Sequence, residues 1–218
     1  MAWKGKKMTN TVPKSNKEKT RELTLLAMFI AIIAVLGLVP SGLGSSSLGF
    51  IKITANIEAT IIHIPVLIGA AMLGRKMGFY IATAFGVVSL IAAFIYASPF
   101  FIYPWVSVLP RMIWGLMIFD VAQFFSKRIK NQYVAFGIAF FVLTLIHTLL
   151  VLSLFWTSFT MVMGYDSLGQ AFGPYITFLI TYLVPVASLI EAALAAFIGG
   201  VLIVRLKAAR ARQERDEE

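Results

Sequence analysis

The sequence predicts an all-α membrane protein, a compact bundle of six transmembrane helices with an outward-facing ligand pocket. Three observations carry that reading. Hydrophobic residues make up 59% of the 218 positions and charged residues only 13%. A soluble domain holds about 45–50% apolar and about 25% charged residues. Six separate apolar runs occur, and about 20 apolar residues suffice to cross a bilayer. Finally, seventeen of the nineteen lysines and arginines fall in tails or loops that alternate with the spans.

The first twenty residues are polar and basic and lack the form of a secretory signal, so they are read as a tail. Span 1 covers about 23–39 and stops at Pro40-Ser41-Gly42. Span 2 covers about 59–73 and stops at Gly74-Arg75-Lys76. Span 3 covers about 78–97, span 4 about 106–125 and span 5 about 134–156. Span 6, about 176–204, is long, whereas span 2 is short. The division is a basic tail over 1–20, a six-helix substrate-binding domain over 21–206, and a charged tail over 207–218.

Basic residues in short loops mark the cytoplasmic side. They gather in the N-terminal tail, at Arg75 and Lys76, at Lys127, Arg128 and Lys130, and from Arg205 to Arg215. The topology that fits is an even number of spans in the cell membrane with both termini cytoplasmic. The net charge of +9 is then an orientation signal and a contact surface for anionic lipid rather than a nucleic-acid footprint.

The opposite loops are richer. Between spans 1 and 2 lies a stretch of small residues with Gly42, Gly44 and Gly49. Between spans 3 and 4 lie Tyr96, Pro99, Phe100, Phe101, Tyr103, Pro104 and Trp105, and Trp156, Tyr165 and Asp166 follow span 5. One reading makes these an interfacial aromatic belt. The other makes them lids over a pocket, with the glycines favouring a mobile lid.

Polar residues inside the spans are candidates for function. Arg111 lies about five residues into span 4, roughly 8 Å below its outer end. It either snorkels to the headgroups or holds an anionic ligand, because guanidinium binds carboxylate in a two-bond fork. His63, Thr60 and Asn56 share a face if span 2 starts early, and His147 lies at similar depth with Thr144 one turn away. Thr177, Thr181, Ser188 and Glu191 lie on one face of span 6. Glu191 must pair, protonate or face water, and Arg111 is one available partner. Asp120 is expected to cap or meet basic loop residues. Trp114 and Tyr103 complete the expected site.

Cysteine is absent, and two histidines are too few for most metal cages, so no cofactor and no metal are expected. No phosphate loop, zinc-protease helix or nucleophile elbow occurs, so the chain carries no ATPase motif. Small residues recur four apart at Ala27 and Ala31, and at Ala192, Ala196 and Gly200. Such stripes pack helices within a bundle or dock a membrane partner.

The six spans, Ala27 and Ala31, and the segment from Ile51 through His63-Ile-Pro-Val-Leu-Ile-Gly69 to Gly74 and Gly78 resemble the S-component of energy-coupling factor (ECF) vitamin transporters. Many relatives carry proline after that Gly74; this chain has Arg75. The His63–Gly69 segment looks most like the pantothenate branch, with folate and riboflavin as alternatives. The resemblance implies capture of a water-soluble vitamin beneath the loop between spans 1 and 2. It implies docking through Ala27 and Ala31 on a transmembrane coupling subunit, and energy from two cytoplasmic ABC ATPases. It also implies that the whole S-component topples to release its cargo. Pantothenate would offer its carboxylate to Arg111 and its hydroxyl and amide groups to Asn56, Thr60, His63 and His147. An intramembrane enzyme using His63, His147 and Glu191, and a small channel or scaffold, are the readings from other classes.

Overall fold

The computed structural model describes residues 15–42, 46–54, 57–180 and 187–216. Helix α1 runs Asn16–Leu38, seven residues ahead of the expected start. Its beginning is set by a capping box: the Ser15 side chain accepts from the Glu18 N–H, and Glu18 accepts from the Ser15 N–H. The chain then forms an antiparallel hairpin, β1 (Phe50–Thr54) and β2 (Ile57–Thr60), with Phe50 opposite Thr60. Among the described residues the bundle is therefore helical apart from one hairpin. Ala59 and Thr60, expected in span 2, belong to β2, so α2 is only His63–Leu73.

Helix α3 is Arg75–Ile95. Span 4 divides into α4 (Pro104–Ser107) and α5 (Leu109–Arg128), and span 5 is a single 31-residue helix, α6 (Gln132–Val162). Span 6 is described in two parts. The first is α7 (Leu168–Phe178), and the second is α8 (Ala187–Leu194), a π-helical turn at Ala195–Gly199 and α9 (Gly200–Asp216). Of the four residues expected on one face of span 6, Thr177 lies on α7, Ser188 and Glu191 lie on α8, and Thr181 lies outside the described residues.

Five helical stretches are long and apolar enough to cross a membrane, and α2 is a shorter apolar helix. Leu149 is 66% exposed, Phe94 66% and Phe197 77%. Water would penalise so large an apolar surface, whereas lipid tails accommodate it.

Burial of apolar surface does not draw helices together inside lipid, so close packing must. Helices α3 and α5 meet backbone to backbone at Gly78 and Gly115. A Cβ on Gly115 would lie 2.5 Å from the Ala82 Cβ and 2.8 Å from the Gly78 carbonyl oxygen. One on Gly86 would come 2.8 Å from the Val108 Cα, at the joint between α4 and α5. Gly200 approaches Gly137 of α6 in the same way, so the Ala192, Ala196 and Gly200 stripe packs inside the bundle. Ala27 and Ala31 instead stand exposed on α1.

The two ends of the bundle differ. At one end the Tyr96 hydroxyl donates to the Leu38 carbonyl, and the Gly49 N–H donates to Leu36, tying the hairpin loop to α1. At the other end Arg75 pairs with Asp120 at 2.6 Å, the basic contact expected for Asp120, and Arg21 of α1 donates to Gln213 of α9. A large core of Ile33, Leu67, Phe85, Trp114, Phe140 and neighbours fills the middle. A second cluster, around Phe155, Phe159 and Tyr175 with Phe100, Phe101 and Tyr103, closes the hairpin end.

Candidate ligand-binding site

Four polar side chains from four elements converge beneath the hairpin. Arg111 is the third residue of α5, His63 the first of α2, His147 lies midway along α6, and Glu191 is on α8. They lie within electrostatic reach of one another, in a setting where charge is poorly screened.

Arg111 is 5% exposed, so it does not snorkel. Its Nη1 donates to the Val106 carbonyl at 2.5 Å. That carbonyl would normally serve the N–H four residues on, but residue 110 is proline and has none. The broken helix thus frees an acceptor, and the acceptor fixes the guanidinium. The Phe85 and Phe101 rings flank Arg111, with centroids 5.5 and 5.8 Å from Cζ. Its Nε has no hydrogen-bond partner among the described residues.

Both ring nitrogens of His63 and both of His147 are likewise buried and unpartnered among the described residues. The His147 ring lies 4.7 Å from the Trp114 ring and 5.7 Å from Phe85. Trp114 is fully buried, and its Nε1 donates to Leu143 at 2.8 Å, which locks the indole as a wall. Thr144 donates to Phe140 within its own helix.

Glu191 does not pair directly with Arg111. Its Oε1 accepts the Thr60 backbone N–H at 2.6 Å, while the Thr60 hydroxyl accepts from the Ile62 N–H. Thr60 therefore reaches the site from a strand end, not from a helical face shared with His63. Asn56 lies outside the described residues. Tyr103 packs against the aromatic cluster, and its ring lies 5.0 Å from that of Trp105.

Phe85 and the Val106 carbonyl went unpredicted, and Phe101 was expected in the belt or lid but not as a direct neighbour of Arg111. Phe85 looks like any lipid-facing aromatic in the sequence. Val106 carried a usable signal, because Pro110 four residues later must orphan its carbonyl.

Leaving a buried polar group unpaired costs about 1–3 kcal/mol. Five such atoms in one cluster call for an occupant. A neutral imidazole offers one donor and one acceptor, and the guanidinium Nε is a donor. The arrangement suits an anion with hydroxyl or amide groups beside it.

The family model described as "ECF transporter, substrate-specific component" matches residues 21–203, which contain every one of these groups. The chain belongs to this family of ECF substrate-specific components. The S-component resemblance read from the residues is thereby borne out. Two similar proteins are pantothenate transporters by name. The pantothenic acid transporter PanT of Lactococcus lactis subsp. cremoris is 27% identical over 159 residues, 63% of this chain and 73% of its own length. The pantothenate transporter PanT of Leuconostoc mesenteroides is 31% identical over 121 residues, 54% of this chain and 56% of its own length. The S-component for biotin from an ECF-type ABC transporter superposes with a TM-score of 0.52 at 16% identity, covering 90% of this chain and 95% of the other. That likeness establishes the fold of the present substrate-specific component and leaves its ligand to the site. A member of this family is the substrate-specific component of a transporter.

Proposed function

We propose that this S-component captures pantothenate from outside the cell and delivers it through an ECF coupling subunit driven by two ABC ATPases. The buried Arg111 guanidinium beside two unpartnered histidines supports an anionic, hydroxyl-bearing ligand. The names of two relatives support pantothenate among such ligands. In this reading Arg111 takes the carboxylate, and His63 and His147 take the hydroxyl and amide groups. Trp114 forms the apolar wall. Thr60 and Tyr103 belong to the hairpin-end surroundings, Glu191 contributes at the hairpin, and Asn56 is carried as a ligand contact on the family resemblance alone. Six crossings of the cell membrane, with both termini cytoplasmic, follow from the basic loops, with α2 serving as the short second crossing.

Calorimetry on the purified protein tests the ligand. Pantothenate should bind one to one, and biotin, riboflavin and folate should not displace it. Displacement by any of those three, or no heat with pantothenate, would overturn the assignment.

The exposed Ala27 and Ala31 support docking of the coupling subunit on α1. Ala31→Trp should abolish copurification with the coupling subunit and ATPases while leaving pantothenate affinity within about twofold, since Ala31 is exposed on α1 and the polar site groups lie on α2, α5, α6 and α8. Parallel loss of both properties would assign the stripe to internal packing.

A further inference from the structure

The hydrogen bond between Glu191 and Thr60 joins residues 131 positions apart and ties α8 to the hairpin. Thr60 is the final residue of β2, three positions before His63. No side chain caps α2 at Ile62. The turn into α2 is held by the Ile61 N–H on the Gly49 carbonyl, by the Thr60 hydroxyl on the Ile62 N–H, and by an Ile64 N–H to Ile61 carbonyl bond. Thr60 is thus one of the anchors that set the placement of His63. A backbone N–H at a strand end has little to hold it unless something accepts from it, and here a carboxylate does. A charged acceptor makes that bond short and strong.

We infer that Glu191 is a positioning residue: through the Thr60 N–H it fixes the end of the hairpin, and with it His63, over the ligand site. The inference rests on the reading of the Arg111, His63 and His147 cluster as that site. Its role comes from the accepting oxygen, and the charge is secondary. Glutamine keeps a carbonyl oxygen at the same reach, whereas alanine removes it. The consequence for the ligand is in dissociation. A hairpin held at β2 keeps His63 against the bound molecule, and a free one lets the molecule leave.

The test compares Glu191→Ala and Glu191→Gln with the full-length wild type in detergent, with melting temperature and monodispersity as folding controls. Hydrogen exchange of the peptide spanning Thr60–Ile64 is read without ligand, and pantothenate dissociation is read by stopped flow. Glu191→Ala should exchange faster at that peptide alone and should release pantothenate up to about tenfold faster, the scale of one lost hydrogen bond. Glu191→Gln should restore both to within about threefold, since a neutral acceptor retains much of the bond. Unchanged exchange in Glu191→Ala would overturn the latch, as would a Glu191→Gln protein as fast as Glu191→Ala. If Glu191→Ala fails to fold, Glu191→Gln against wild type still decides between acceptor and charge. Should wild type bind no pantothenate while the exchange pattern holds, the ligand assignment falls and the positioning role stands.

Discussion

Arg111→Ala is expected to weaken pantothenate binding by at least tenfold. A charge-assisted hydrogen bond contributes about 1.5–3 kcal/mol, and about 1.4 kcal/mol is tenfold in affinity. The guanidinium is 5% exposed and anchored by one nitrogen on Val106, so it is already oriented when the ligand arrives. Preorganisation of this kind lowers the entropy lost on binding. Arg111→Lys should recover only part of the affinity, because a point charge cannot form the fork. The carboxamide analogue separates charge from shape: wild type should bind it weakly, and Arg111→Ala should bind it about as weakly. Calorimetry reads all four combinations, and the melting temperature detects any cost of leaving the Val106 carbonyl unpaired. Undiminished affinity for the acid in a folded Arg111→Ala protein would remove the case for an anionic ligand.

Gly115→Leu should disassemble the bundle. The added Cβ alone would sit 2.8 Å from the Gly78 carbonyl and 2.5 Å from the Ala82 Cβ, and the backbone on the α3 side cannot swing aside as a side-chain tip can. Overpacking of a tight core costs about 1–3 kcal/mol, and a backbone clash belongs at or above the top of that range. Thermal unfolding in detergent should show a large fall in midpoint or an aggregated product. Gly173→Ala is the control: nothing lies within 4 Å of its built Cβ, so its midpoint should hardly move. Equal effects of the two substitutions would mean that the α3–α5 crossing is not what holds the bundle.

The spans were legible because a bilayer imposes a length and a composition on any crossing helix. Their ends were less so. The Ser15 capping box was present in the letters, yet its polar run hid a helix that starts at Asn16. The hairpin was missed for a different reason. Ala59 and Thr60 continue the apolar pattern of α2, and alternation over four residues is too short to separate strand from helix. That error mattered at the site, because it put Thr60 on a helical face. Arg111, His63, His147 and Trp114 were found together since polar groups are scarce in these spans and must be accommodated. Phe85 was not, because 18 phenylalanines give no reason to choose it, and Phe101 was legible only as part of an aromatic loop.

The shortness of α2 has a consequence for the route by which a ligand arrives. Eleven residues rise about 16 Å, roughly half of a hydrocarbon layer about 30 Å thick. In the proposed six-crossing topology the rest of that second crossing falls to β2 and the turn after it, which are not helical. Non-helical backbone at membrane depth is tolerated only against protein or beside water. Lipid is therefore kept away from the backbone above α2. A solute approaching from that end would come by diffusion from the bulk, and greasier analogues would gain nothing from partitioning into the surrounding lipid.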